Sequence, residues 1–561
     1  MPIRPKAPRP GTRGRPTTHP ETDSRLVANR RGDNARPGRR LGNGSTMPFR
    51  LACVAASLSL LSLTGCGGSA VPTESANAAP IVALTSGKVR GSGDDIVSFK
   101  GIPYAKPPTG ALRWTAPIDP EPWTGVRDAS AFGPECMQAG TAAMSEDCLF
   151  INVWAPRSGL ASTRKLPVLV WVYGGSFTSG NGNVDGSVVA NHGAVVVSMN
   201  YRVSTMGFMA HPGLSAESAR KVSGNYGILD VAQALKWVRA NIAQFGGDPT
   251  NVTIWGESAG ASVITTLLSS PESAGLIDRA ILESPGSWRH WKSLAAAEQD
   301  GLALGADIQA LRALPATQIP VILNPGGGAQ IRALAEPRVI GPVQDGVILP
   351  HEERVQFEGH RATQVPLLVG NNTDEGYLFT NGYTISTVDQ YRSYLSDPAI
   401  FGSFGNQAFS TYPVDNPAQI ASAIALSFGD DQFWFGARGI ARLYADAGLP
   451  VYRYYFTRKQ LGGTGSDAHH GDDVAYVFGD AKLSAAPYTA DDVRISNEMI
   501  DAWVRFAATG NPNGGAINDW PKYETTTEPV YQIDASQRIV NGPRNAQLDF
   551  IAKFDASIPA D

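Results

Sequence analysis

The sequence predicts an α/β fold: one large, mostly parallel central sheet with helices on both faces, in a single domain spanning residues 81–557. Three observations point there. The runs "KLPVLVWVYG" (165–174) and "AVVVSMNY" (194–201) are continuously apolar and β-branched, as strands buried on both faces are. Between Asn225 and Gly246 the period turns helical, with Leu235, Val238, Ile242 and Phe245 at three- and four-residue steps. Strand alternating with helix implies a parallel sheet covered on both sides, with its site at the carboxyl ends of the strands.

In chain order, residues 1–46 are rich in Arg, Pro and Gly without hydrophobic period, so they bury too little surface to offset ordering entropy and are expected to be disordered, an extension of doubtful translation. A second methionine, Met47, opens a secretory pattern: Arg50, an apolar run over 51–63, and Leu63-Thr64-Gly65-Cys66, which resembles the lipobox of bacterial lipoproteins. The run is short for a membrane span. Residues 47–66 are thus expected to be a signal peptide, 67–80 a flexible tether, and Cys66 a lipidated, membrane-attached N-terminus of an exported protein; a plain secretory signal is the alternative. Cys53 then leaves with the signal, and Cys136 and Cys148 remain as a pair in a disulfide-permissive setting. Without residues 1–65 the chain carries 35 basic and 48 acidic side chains, a net charge of −13, which argues against a nucleic-acid partner.

The body has no linker, repeat or low-complexity break. "GKVRGSGDDIVSFKGIPY" (87–104) reads as an opening β-hairpin region. "NVTIWGE" (251–257) is a buried strand and "SAGASVITTLLSS" a helix beginning at Ser258; "RAILES" (279–284), "QVPLLVGN" (364–371) and "VYRYYF" (451–456) are further strands. The spelling Gly256-Glu257-Ser258-Ala259-Gly260 is G-x-S-x-G, a pattern that chance supplies readily in a chain with 60 glycines. Its placement is the informative part: a strand yields to a helix at Ser258, and two glycines let the backbones approach, as a nucleophile elbow requires.

A serine hydroxyl needs a base to take its proton, and the base needs a third group to orient it. Of eight histidines, five follow Ser258, and only the adjacent pair in "SDAHHGDDVAYVFG" (466–479) sits in a loop after a strand at the expected edge. In "LLVGNNTDEGYLF" (367–379), Asp374 and Glu375 follow a strand end and are the candidate acids. "VWVYGGSF" closes a strand with a Gly-Gly-Ser turn whose backbone N–H groups suit an oxyanion, each such donor contributing about 3–4 kcal/mol in a transition state.

These residues carry a family resemblance. The chain resembles the type-B carboxylesterases, a group that also contains the cholinesterases, within the α/β-hydrolase superfamily. The matches are "FKGIPYAKPPTGALRW" (99–114), "SEDCLFINVW" (145–154), "VVVSMNYR" (195–202), "FGGDPTNVTIWGESAGA" (245–261), "PLLVGNNTDEG" (366–376), "HGDDVAYVFG" (470–479) and "FAATGNP" (506–512). The resemblance implies an α/β-hydrolase fold, with Ser258 as nucleophile, Glu375 as acid, His470 as base, and Gly175, Ser176 and Ala259 as oxyanion-hole positions. It implies two-step hydrolysis of a small-molecule ester, with no metal and no cofactor.

Three departures bear on specificity. Ser176 stands where the family commonly has Gly or Ala. "AILESPGSW" replaces the usual Q-S-G-S wording and adds Pro285, altering the acyl-pocket wall. Between Cys136 and Cys148 lies no aromatic residue, so a cation–π site for quaternary ammonium is unsupported. The altered wall runs on into Trp288-Arg289-His290-Trp291-Lys292, and Trp288, Arg289 and His290 are candidate pocket residues for a carboxylate-bearing substrate; packed indoles with snorkelling cations are the plainer reading. An inactive cholinesterase-like binding module, an amidase and a lactone hydrolase remain rival functions, because fold and triad do not set the substrate.

Overall fold

The structure is a computed structural model that describes residues 79–558 apart from 141–143, 287, 322–339, 381, 383, 460–466 and 485–486. The extension at 1–46, the signal segment with Cys66 and nearly all of the tether lie outside the described residues.

Ten strands form the central sheet: β1 (Ile96–Pro103), β2 (Phe150–Pro156), β3 (Leu166–Val172), β4 (Val195–Met199), β5 (Gly247–Glu257), β6 (Arg279–Glu283), β7 (Leu367–Asn372), β8 (Val451–Phe456), β9 (Pro529–Ile533) and β10 (Arg538–Asn541). Their order across the sheet is β10-β9-β8-β7-β6-β5-β3-β4-β2-β1. Pairing is parallel from β4 through β9 and antiparallel at both ends, where β1 pairs β2, β2 pairs β4, and β9 pairs β10. The mostly parallel reading therefore holds for the middle of the sheet, where Val168, Val170 and Val172 of β3 and Val195, Val196 and Val197 of β4 have no exposed surface.

The helical period over 225–246 becomes α1 (Tyr226–Asn241) and a 3-10 turn, Ile242–Phe245, ended by Gly246 at φ 85°. A residue in that left-handed conformation is the usual helix stop, and glycine adopts it without a Cβ penalty. The side chains of Leu235, Val238, Ile242 and Phe245 are all fully buried.

Alternation along β5 shows how both faces are covered. Trp255 faces one side, stacking on Phe478 of α5 (Asp472–Phe478) with centroids 4.7 Å apart. Its indole N–H and that of Trp503, in α6 (Ala490–Thr509), both donate to Glu283 Oε1. Gly256 faces the other side, where an added Cβ would lie 3.1 Å from Ile264 of α2 (Ala259–Leu268). Two more helices, α3 (Ile420–Gly429) and α4 (Phe435–Asp446), are joined by a π-helical turn at Asp430–Trp434.

The opening hairpin divides between two sheets. Lys88–Arg90 pairs with Ile81–Ala83 and Val126–Asp128 in a separate three-stranded sheet, while β1 joins the central one, and a single Ser92–Ser98 bridge ties them. Gly91 and Gly93 turn the chain between the sheets, Gly93 at φ 116°. Cys136 and Cys148, each 1% exposed, are bridged across a sequence separation of 12. On the chain-entropy account a loop of this length contributes about 3 kcal/mol. Cys136→Ala/Cys148→Ala is expected to lose about that much in chemical denaturation; a loss under about 1 kcal/mol contradicts the entropic account.

Candidate active site

Ser258 sits between β5 and α2 at φ 55°, ψ −124°, a conformation that a non-glycine residue holds only when its surroundings force it. A Cβ on Gly256 would come 2.6 Å from the Val172 carbonyl oxygen, and one on Gly260 would come 2.1 Å from it. Two missing side chains thus let strand and helix close on β3 and push Ser258 out of the turn. Ser258 N–H donates to Glu283 O at 2.9 Å, tying the elbow to β6.

The loop after β7 carries Glu375, buried at 1% exposure. Its Oε2 lies 2.6 Å from His470 Nδ1, and its Oε1 accepts from Ser284 Oγ and from Asn372 N–H, both at 2.6 Å. A carboxylate on Nδ1 selects the tautomer with the proton there, leaving Nε2 a free lone pair. His470 Nε2 has no hydrogen-bond partner among the described residues, although Glu257 Oε1 lies 3.1 Å from it, outside hydrogen-bond geometry. The ring is held against Phe433 of the π-helical turn (centroids 4.2 Å) and Phe379 (5.1 Å). A π-turn adds a residue to the helix and re-aims its side chains, which here brings Phe433 onto the imidazole.

The electrostatics are unusual for a base. Burial disfavours the imidazolium, but Glu257, Glu375 and Asp473 outweigh it and hold His470 up to about 9. Burial pushes Glu257 up to about 7, against the opposing pull of His470, and Asp473 up to about 6, against the Tyr454 hydroxyl and Asn372 amide that bond it. Glu257, Asp473 and His470 therefore share protons across the neutral range.

Beside Ser258 runs the turn after β3. A Cβ on Gly174 would sit 2.9 Å from Ser258 Cβ, so the turn passes directly against the nucleophile position. Gly175, Ser176 and Phe177 have φ of 105°, 56° and 64°, three successive left-handed residues. Phe177 O accepts from Ser204 N–H at 2.7 Å, and its ring packs edge-on against Phe208 and Trp291. Ala259, the first residue of α2, keeps an N–H that no helical carbonyl can take. Of the three oxyanion candidates, Ala259 follows Ser258 in the chain, and Gly175 and Ser176 follow Gly174, whose backbone lies against it.

The cationic cluster is spread around the wall. Trp288 is turned into the scaffold, edge-on to Phe435 and against Gly439, and its backbone N–H donates to Glu353 Oε2 at 3.0 Å. His290 Nδ1 lies 2.9 Å from Glu352 Oε1, and Lys292 pairs with Asp300. Arg289 Nε donates to Gly286 O at 3.1 Å, and a Cβ on Gly286 would be within 3.4 Å of both Arg289 Nε and Ser262 Oγ, so the guanidinium reaches the first turn of α2. The Trp291 indole packs edge-on against Phe177 of the turn beside Ser258.

Sequence reasoning passed over Glu257, Asp473, Ser284 and Phe433. The first two were adjacent to named residues in "GESAG" and "HGDD", and the signal was there to read; nothing local marks Phe433, which a helix irregularity delivers.

An elbow serine at the carboxyl edge of a mostly parallel sheet, with an acid–histidine pair after later strands, defines an α/β-hydrolase. Residues 78–551 match the model of the carboxylesterase family. The chain is 41% identical to fumonisin B1 esterase of Sphingopyxis macrogoltabida over 462 residues, covering 79% of this chain and 84% of the relative. It is 35% identical to para-nitrobenzyl esterase of Bacillus subtilis, covering 83% and 97%. A solved PNB esterase superposes with a TM-score of 0.71 at 34% identity, over 84% of this chain and 99% of that one. The chain belongs to the carboxylesterase family and is a carboxylic ester hydrolase.

The carboxylates fix the sign of the pH response. If His470 serves as the base, it must be neutral to accept a proton, and kcat/KM then rises as pH climbs through its raised value. Glu257→Gln removes a neighbouring anion that favours the imidazolium. The midpoint of the kcat/KM profile is expected to fall by about one unit; a midpoint that stays or rises contradicts the coupling.

Proposed function

We propose that this esterase works by a Ser258–His470–Glu375 triad through an acyl-enzyme. The observation that carries the reading is the 2.6 Å contact of Glu375 Oε2 with His470 Nδ1, which leaves Nε2 unspent, 3.1 Å from Oε1 of Glu257 in the elbow. Ser258 Oγ attacks the ester carbonyl carbon while His470 Nε2 takes its proton. The N–H groups of Gly175, Ser176 and Ala259 hold the oxyanion, each contributing about 3–4 kcal/mol. His470 passes the proton to the departing alkoxide, water then adds to the acyl carbon with His470 again as base, and the carboxylic acid leaves. Glu375 keeps the imidazole in the productive tautomer and stabilises the imidazolium that forms.

An activated p-nitrophenyl ester is expected to give a burst of nitrophenol stoichiometric with enzyme. Ser258→Ala is expected to abolish it and lower turnover by about 10⁴–10⁶-fold. A folded wild-type protein without a burst supports slow chemistry or the binding-module reading instead.

We further infer a preference for esters whose acyl part carries a carboxylate, with Arg289 as its anchor. What supports it is the guanidinium beside the first turn of α2, its Nε fixed on Gly286 O, while its neighbour Glu353 is pushed up to about 7 by burial and so is half neutral near pH 7. Arg289→Ala is expected to lower kcat/KM for a dicarboxylate monoester at least tenfold relative to a neutral ester of equal chain length. An unchanged ratio sinks the preference and leaves the triad untouched.

A further inference from the structure

Away from the elbow, a cavity of about 370 Å³ opens between the segment around Trp114–Ile118, the stretch around Leu214–Ser223 and the start of α1. That volume lies within the roughly 300–1,000 Å³ typical of small-ligand pockets. None of Ser258, Glu375 or His470 is among its described lining residues.

One wall is apolar: Trp114, Leu214, Leu229 and Ile348, with Ile118, 45% exposed, at the rim. A large aliphatic side chain left half in water beside a cavity is surface that a ligand tail would cover. The polar side centres on Arg312, whose side chain is only 10% exposed. Its Nε donates to Arg113 O at 3.2 Å and its Nη1 to Glu217 Oε2 at 2.5 Å, and no described residue accepts from Nη2. A guanidinium nitrogen that no described residue engages is open to a charge-assisted hydrogen bond with an incoming anion.

The cavity's other charges are already engaged or at the edge. Asp345 Oδ1 accepts three backbone N–H groups, from Val347, Ile348 and Leu349, and its Oδ2 accepts from Asn225 Nδ2. Glu217 also accepts from Gln309 Nε2 and is 42% exposed, so water screens it. Arg220, exposed at the rim and paired with Glu272, adds a second cation.

We propose that this cavity binds a small amphipathic carboxylate, its tail on the Trp114–Leu229 wall and its carboxylate on Arg312 Nη2. An esterase that releases carboxylic acids meets such molecules as its own products, but the proposal stands on the cavity and is independent of the triad.

The test is calorimetric titration of octanoate into the full chain carrying Ser258→Ala, with 1-octanol as the uncharged probe. Saturable binding of octanoate and none of octanol is expected. Ala116→Trp, which fills the cavity from its exposed edge, and Arg312→Gln are each expected to weaken octanoate at least tenfold, while Ala116→Trp in the otherwise native chain leaves ester hydrolysis unchanged. Because Arg312 also ties two loops, Ala116→Trp carries the decision. No saturable binding, equal binding of octanol, or octanoate affinity unchanged by Ala116→Trp, as occupancy of the ester site gives, overturns the proposal.

Discussion

The contact between Glu375 and His470 is the interaction on which the rest of the site depends. It joins the loop after β7 to the loop before α5, regions 95 residues apart in sequence, through one 2.6 Å hydrogen bond. Such a bond in a buried setting is strong only if both partners are already held in place. Ser284 Oγ and Asn372 N–H fix the carboxylate, Phe433 and Phe379 fix the ring, and helix α3 packs so closely on the acid loop that a Cβ at Gly376 would lie 1.9 Å from Ala425 O. The imidazole orientation is therefore paid for by packing before any substrate arrives.

That arrangement concentrates negative charge where the chemistry needs a neutral base. Glu257 and Asp473 stand with Glu375 around one imidazole. Desolvation alone would drive His470 toward its neutral form and Glu257 and Asp473 toward theirs; their attraction to His470 opposes both. The cluster favours the imidazolium, the state His470 enters in the proposed mechanism as Ser258 attacks. In that mechanism a site that stabilises this ion assists acylation at the expense of the resting fraction of free base.

The fold was legible because its central strands are buried on both faces and cannot hide polar positions: β3, β4, β5, β6, β7 and β8 are all readable as apolar runs. The edge strand β10 and the next-to-edge strands β2 and β9 were not read as strands from pattern alone. "PVYQI" and "RIVN" are short, and their pairing comes from neighbours in the sheet. Ser258 was legible from strand-to-helix context, whereas Glu375 over Asp374 and His470 over His469 came from family wording. Geometry separates the pairs: Asp374 and His469 face each other across a bridge, and His469 stacks on Tyr377 away from the acid. The wall at 285–292 was the least legible part. Charge composition marks it as unusual, but which indole meets the turn beside Ser258 depends on a left-handed Trp288 that sequence does not announce.

The account turns on Glu375 acting through tautomer and charge, and single-turnover acylation measures that most directly. Glu375→Gln preserves shape and removes the charge on Nδ1. The acylation rate with an activated ester is expected to fall by about 10⁴-fold while the thermal unfolding midpoint stays close to the wild type. Acylation within about tenfold of wild type by a folded Glu375→Gln protein would contradict it.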